Sequence, residues 1–140
     1  MAAALVQVCV DPRLNHEVIR IQVRQKLERL GIGSPRIYVL NDVGGNPGHN
    51  LVNTLALLAK MGEPVALGAV LHHDDCLAAR QGLRIPLHAA ADELAKAFAK
   101  AHVRAPVLTG QIRTEHNQVS WPDEPAYEYR SFTFGVPTPW

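Results

Sequence analysis

The chain has 140 residues, 47% of them hydrophobic and 19% charged, with a formal net charge of +1. That length and composition fit a single globular domain over 1–140 with its own core. The near-neutral charge excludes the concentrated basic excess of a nucleic-acid binder. The opening Met1-Ala-Ala-Ala-Leu5 has no basic n-region, and no apolar run approaches the roughly 20 residues needed to span a bilayer. A membrane is therefore excluded as a partner and a cytoplasmic protein is expected.

In chain order, residues 4–10 read as a short buried strand ending at Cys9, and Pro12 stops regular structure. Asn15 is a plausible N-cap for a helix reaching about Leu30, with Val18, Ile19, Val23, Leu27 and Leu30 on its apolar side. Gly31 and Gly33 end it. Arg36 to Leu40 is a second strand. Asp42 to Asn50 is a glycine-rich loop, which lacks the spacing and the lysine of a phosphate-binding loop and reads as a tight turn. Leu51 to Met61 is an apolar helix closed by Gly62, with His49 a polar residue at its start. Pro64 to Leu71 is a third strand, apolar throughout, and a short helix is expected from His72–Cys76. Ala89 to His102 is an alanine-rich helix. Val107 to Arg113 and Gln118 to Trp121 read as a hairpin, and Tyr127 to Phe134 alternates as a last strand before the extended tail to Trp140.

Continuous apolar strands alternating with helices imply an α/β domain. Its parallel sheet is covered by helices on both faces, and the C-terminal extension is antiparallel. Ligands in such folds bind beyond the carboxyl ends of the strands, at the topological switch point. Cys9 ends the first strand, and His73 and Cys76 follow the third, so all three belong to that edge.

These are the chain's two cysteines and one histidine three residues before the second. Without a signal sequence the thiols stay reduced and free to bind metal. Two thiolates and an imidazole make an open zinc set with a fourth position free. On a helix, His73 and Cys76 at i and i+3 would share a face. Asp11 and Arg13 alternate just past Cys9; an arginine keeps a neighbouring carboxylate ionised, and such a carboxylate can accept a hydrogen bond from metal-bound water. His16, His88, His102 and His116 have no partner at ligand spacing and read as surface or cap residues.

The two motifs, Cys9-Val10-Asp11-Pro12-Arg13 and His73-Asp74-Asp75-Cys76 with His72 before it, resemble the C-x-D-x-R and H-x-x-C signatures of the β-class carbonic anhydrases. The resemblance covers about residues 4–80 and marks a short, divergent member. It implies Zn2+ held by Cys9, His73 and Cys76, with Asp11 and Arg13 as the catalytic dyad. It implies a zinc lyase that interconverts carbon dioxide and bicarbonate through metal-bound hydroxide. It also implies a homodimer or higher homo-oligomer, since that family completes its pocket across subunits. The aromatic segment Tyr127–Trp140 is the expected surface for that contact. Two alternatives stay open. One is hydrolysis of carbonyl sulfide or carbon disulfide on the same scaffold. The other is a non-catalytic zinc-binding relative with a regulatory or partner-binding role.

Overall fold

A computed structural model describes residues 2–122 of the chain. The expected strand over Tyr127–Phe134 and the tail to Trp140 lie outside the described residues. The elements are β1 Ala3–Cys9, α1 His16–Arg29, β2 Arg36–Asp42, a 3-10 turn at Val43–Gly45, α2 His49–Met61, β3 Val65–His73, α3 Leu77–Arg80, α4 Leu87–Lys100, β4 Val107–Arg113 and β5 Gln118–Ser120. The fold is α/β, as the strand–helix alternation implies. The sheet order is β2-β1-β3-β4-β5, parallel throughout except for the antiparallel β4–β5 pair.

Strand pleating sends alternate residues to opposite faces, and each face buries a separate core. Val6, Val8, Leu67, Ala69, Leu71 and Ile112 pack against Ile19, Val23 and Leu27 of α1. Leu5 and Val70 pack against Leu51, Leu55 and Leu58 of α2 and Leu94 and Phe98 of α4. Because β1 and β3 are apolar on both faces, they take the centre of the sheet. The connection from β1 leads outward to β2, whereas the path from β3 leads the other way to β4. The switch point therefore falls between the carboxyl ends of β1 and β3.

Helix α1 starts where the sequence places it. The Asn15 side chain accepts from the backbone N–H groups of Glu17 and Val18, which satisfies two of the orphan donors of the first turn. Its apolar stripe is narrower than expected. Val18 and Leu30 are exposed, and only Ile19, Val23, Leu27 and the stem of Lys26 are buried. Val18 lies one residue off the stripe that faces the sheet. Leu30 is the C-cap, past the last turn. No described helix is long and apolar enough to cross a membrane.

Candidate metal centre

Cys9 is the last residue of β1, His73 the last residue of β3, and Cys76 the residue capping the start of α3. The Sγ atoms of both cysteines and a ring nitrogen of His73 lie within 4.8 Å of one another, and all three residues are buried. Both thiols are free. A tetrahedral zinc with bonds of about 2.0–2.3 Å needs donors roughly 3.3–3.8 Å apart, so small adjustments of three side chains bring this group to bonding distance.

The route by which His73 and Cys76 meet differs from the sequence expectation. They do not share a helix face. β3 runs two residues further than expected, to His73, and the chain then bends through Asp74 and Asp75. Asp75 has φ 49, a left-handed conformation that a short polar side chain tolerates better than most. This bend, rather than helical periodicity, swings Cys76 back toward the end of β1.

The histidine is oriented by its other nitrogen. His73 Nδ1 is 2.8 Å from the carbonyl oxygen of Asp74 and 3.0 Å from Thr114 Oγ1. A carbonyl can only accept, so Nδ1 carries the proton and Nε2 keeps its lone pair. Nε2 is buried and has no hydrogen-bond partner among the described residues. A bare imidazole nitrogen facing two thiols is what a metal ligand requires, and a second hydrogen bond that fixes the tautomer is the usual support. Thr114 reaches His73 because Ile112 of β4 pairs with His73 of β3, two residues before it. Its hydroxyl lies 2.7 Å from Asp74 Oδ1, and its backbone N–H donates to the same oxygen at 2.7 Å. Those bonds from Thr114 hold the Asp74 carboxyl below its ordinary range. Burial pulls the His73 imidazole down, favouring the neutral form that binds metal.

Cys9 sits under two backbone donors, the N–H groups of Asp11 and of Gly44 in the 3-10 turn, yet burial dominates and pushes its thiol up. A metal cation would reverse that balance, since a coordinating thiol is deprotonated. The glycine-rich segment is thus a tight turn that also lines the centre. Gly44 and Gly45 both have positive φ, at 68° and 70°, and a Cβ on Gly45 would lie 3.4 Å from the carbonyl carbon of Val8. Asn46 clamps the turn by donating to the Leu83 carbonyl and accepting from the Ile85 N–H.

Beside the three ligands stands the Asp11/Arg13 pair. Arg13 Nε and Nη2 donate to the two carboxylate oxygens at 3.0 and 2.7 Å, and the Arg13 backbone N–H adds a third bond at 2.9 Å. These bonds lower the Asp11 carboxyl to about 2. Asp11 Oδ2 lies 3.9 Å from His73 Nε2, so the carboxylate borders the space between the ligands while the arginine holds it. Arg13 also joins the two motifs, donating through Nη1 to Asp75 Oδ2 and through Nη2 to the Asp75 carbonyl, each at 2.8 Å. All five candidate residues of the sequence therefore converge.

No protein-family model matches the chain, and no curated protein does either.

Several contributors lie outside the sequence motifs, among them Thr114 and the Gly44 N–H. Arg84 donates to the His73 carbonyl at 3.0 Å, and Asn117 donates to the Arg13 carbonyl at 3.1 Å. Each reaches the centre through a loop or through strand register. Neighbouring His72 points to the opposite face of the sheet, away from the ligands, and burial lowers its imidazole to about 4. Leu77, directly after Cys76, is turned out to solvent.

Proposed function

We propose that Cys9, His73 and Cys76 hold zinc, and that the chain interconverts carbon dioxide and bicarbonate in the manner of the β-class carbonic anhydrases. The observation that carries this reading is the Asp11 carboxylate, held ionised by Arg13 at 3.9 Å from the bare Nε2 of His73. A zinc that only braced the fold would need no such pair beside it. Bound zinc would supply a Lewis acid and lower the pKa of a coordinated water toward about 7.

The chain's own residues have three tasks. The two thiolates and the Nε2 lone pair bind the ion and leave one position open. Asp11 Oδ2 accepts a hydrogen bond from a water entering that position and so orients it. Arg13 bonds both carboxylate oxygens of Asp11, which keeps Asp11 ionised and would keep it from taking up the position left for water. Around this edge stand Val10, Val43, Leu77 and Leu83, each at least half exposed. An apolar rim suits a linear, uncharged substrate, which carbonyl sulfide and carbon disulfide are as well as carbon dioxide. Hydrolysis of those sulfur analogues is the second reading.

The test is elemental analysis of protein purified without added metal, followed by stopped-flow hydration of carbon dioxide above pH 8. About one zinc per chain and a hydration rate above background are expected, and Cys76→Ser should lose both. A Cys76→Ser protein with full zinc would remove the ligand assignment. A zinc-loaded wild type inactive on carbon dioxide but active on carbonyl sulfide would favour the second reading. Inactivity on both would favour a non-catalytic zinc protein.

A further inference from the structure

Cys9 and Cys76 are the chain's two cysteines, so no third thiol competes for either. Both are free, and their Sγ atoms lie within 4.8 Å of each other, close enough for the two thiols to share a hydrogen bond. Converging sulfurs are the condition for a disulfide, which fails where the side chains point apart. The bond asks for a closure of less than about 3 Å, to an S–S distance of about 2.05 Å. Cys9 is fixed, because it ends a central strand and pairs with Asp42 of β2. Cys76 lies outside the sheet, between the Asp74–Asp75 bend and the short α3, so the movement falls to Cys76. Cys9 is 5% exposed and Cys76 3%, so a reagent that reaches them is small. The proposed reaction already brings carbon dioxide to this point, and hydrogen peroxide is of similar size.

We propose that Cys9 and Cys76 are an oxidation site as well as a ligand pair: without the ion, a peroxide oxidant joins them in an intramolecular disulfide, and the disulfide shuts the metal out. One sulfur, as thiolate, attacks a peroxide oxygen. The O–O bond breaks, water leaves and a sulfenic acid forms. The other sulfur attacks that acid. The S–O bond breaks, the S–S bond forms and a second water leaves. Two thiols and one hydrogen peroxide thus give one disulfide and two waters, with the two electrons of the thiols passing to the peroxide. Either cysteine can start the sequence, and the product is the same. Disulfides in a reducing compartment are transient and belong to sites that sense oxidants. The oxidised sulfurs lack the thiolate charge that zinc needs and leave Nε2 of His73 alone. Conversely, an ion on both sulfurs takes the lone pairs that the attack uses. This competition rests on the zinc reading; the disulfide does not.

The experiment uses the full chain, stripped of metal by a chelator under reducing conditions, desalted and treated with dilute hydrogen peroxide. Its mass should fall by two hydrogen atoms. Thiol titration after denaturation should find neither cysteine, and a non-reducing peptide map should show Cys9 joined to Cys76. The oxidised chain should keep its circular dichroism and unfold at a higher urea midpoint than the reduced chain, because the crosslink restricts the unfolded state. Cobalt(II), a spectroscopic stand-in for zinc, should give thiolate charge-transfer bands with the reduced chain and none with the oxidised one. Dithiothreitol should restore them. Zinc loaded beforehand should slow the closure at least about tenfold, since a bound thiolate is no longer a free nucleophile. Oxygen adducts without a linked peptide, or a bond between two copies, would overturn the oxidation site. So would a linked chain with no urea transition, because the bond would then need an unfolded chain. A linked, folded chain whose reduced form binds neither cobalt nor zinc would remove the ligand assignment and leave the oxidation site standing. Cobalt bands in the reduced chain, with closure no slower in zinc, would overturn the competition alone.

Discussion

Thr114 is the residue whose chemistry is most exposed to a single atom change. Its hydroxyl accepts from His73 Nδ1 and reaches the Asp74 carboxylate. Thr114→Val keeps the shape of the side chain and removes the oxygen, leaving the imidazole held by the Asp74 carbonyl alone. Supporting groups of this kind are commonly worth about 10–100-fold in metal affinity. Competition with a chromogenic chelator should show a loss in that range, with the circular dichroism unchanged. Arg13 acts on the neighbouring carboxylate. Asp11 has a depressed pKa, so its contribution to stability is present above the ordinary carboxylate range and is lost as pH falls through about 2. Arg13→Ala removes the bonds that depress it. The acid limb of stability should then move toward the usual Asp range near 4, as read by unfolding midpoints between pH 2 and 5. If the chain is the zinc enzyme proposed, the freed carboxylate should become a further ligand of the bound metal. X-ray absorption should show an added oxygen scatterer. Hydration should drop by about a hundredfold with zinc retained, in keeping with the loss of a positioned proton-accepting group. An unchanged hydration rate at neutral pH would contradict the dyad.

At the scale of elements, the centre depends on β1 and β3 lying side by side, and that pairing depends on close packing against α4. Gly68 of β3 shows how close. A Cβ there would lie 2.7 Å from Phe98 Cε2 and Cζ and 2.9 Å from Leu94 Cδ2. Gly68→Ala should cost about 1–3 kcal/mol as an overpacked site, seen as a lower urea midpoint at unchanged slope. The position is five residues from His73, so zinc stoichiometry should survive. The elements themselves are legible in the sequence. Apolar runs give β1 and β3, Asn15 gives the start of α1, and the order of strands and helices places Cys9, His73 and Cys76 at one edge. The sequence is silent where tertiary contacts decide. The helix-face argument for His73 and Cys76 fails because two more residues of the apolar strand pair with β4 before the chain turns. The bend is made by Asp75 in a left-handed conformation, where a glycine would have announced it. Thr114 is 41 positions from His73; only the register of β3 on β4 brings them together, and no periodicity encodes that register. The α1 stripe is narrower than its apolar residues suggest, because Val18 and Leu30 are apolar and exposed.

For the whole molecule, the surface next to the candidate metal centre carries several exposed apolar side chains. Val10 follows Cys9, Val43 opens the 3-10 turn whose next N–H meets Cys9, Leu77 follows Cys76, and Leu83 lies on the loop that Asn46 clamps to that turn. Each is at least half exposed; scattered single apolar residues need no explanation, but four attached to the segments that frame one buried polar centre are what an interaction surface offers. Bulk water filling the space beside that position would compete with a weakly bound apolar substrate. A second copy laid over this edge would bury these side chains and wall the site. We therefore expect at least a homodimer, formed across the carboxyl edge of the sheet. Light scattering on the full chain should give at least twice the 15.3 kDa of one chain. Val43→Glu with Leu77→Glu, both on exposed side chains, should yield a folded monomer that retains zinc and loses hydration activity. A wild-type protein that stays monomeric at high concentration would rule out the shared site. A variant that stays dimeric would move the interface elsewhere on the molecule.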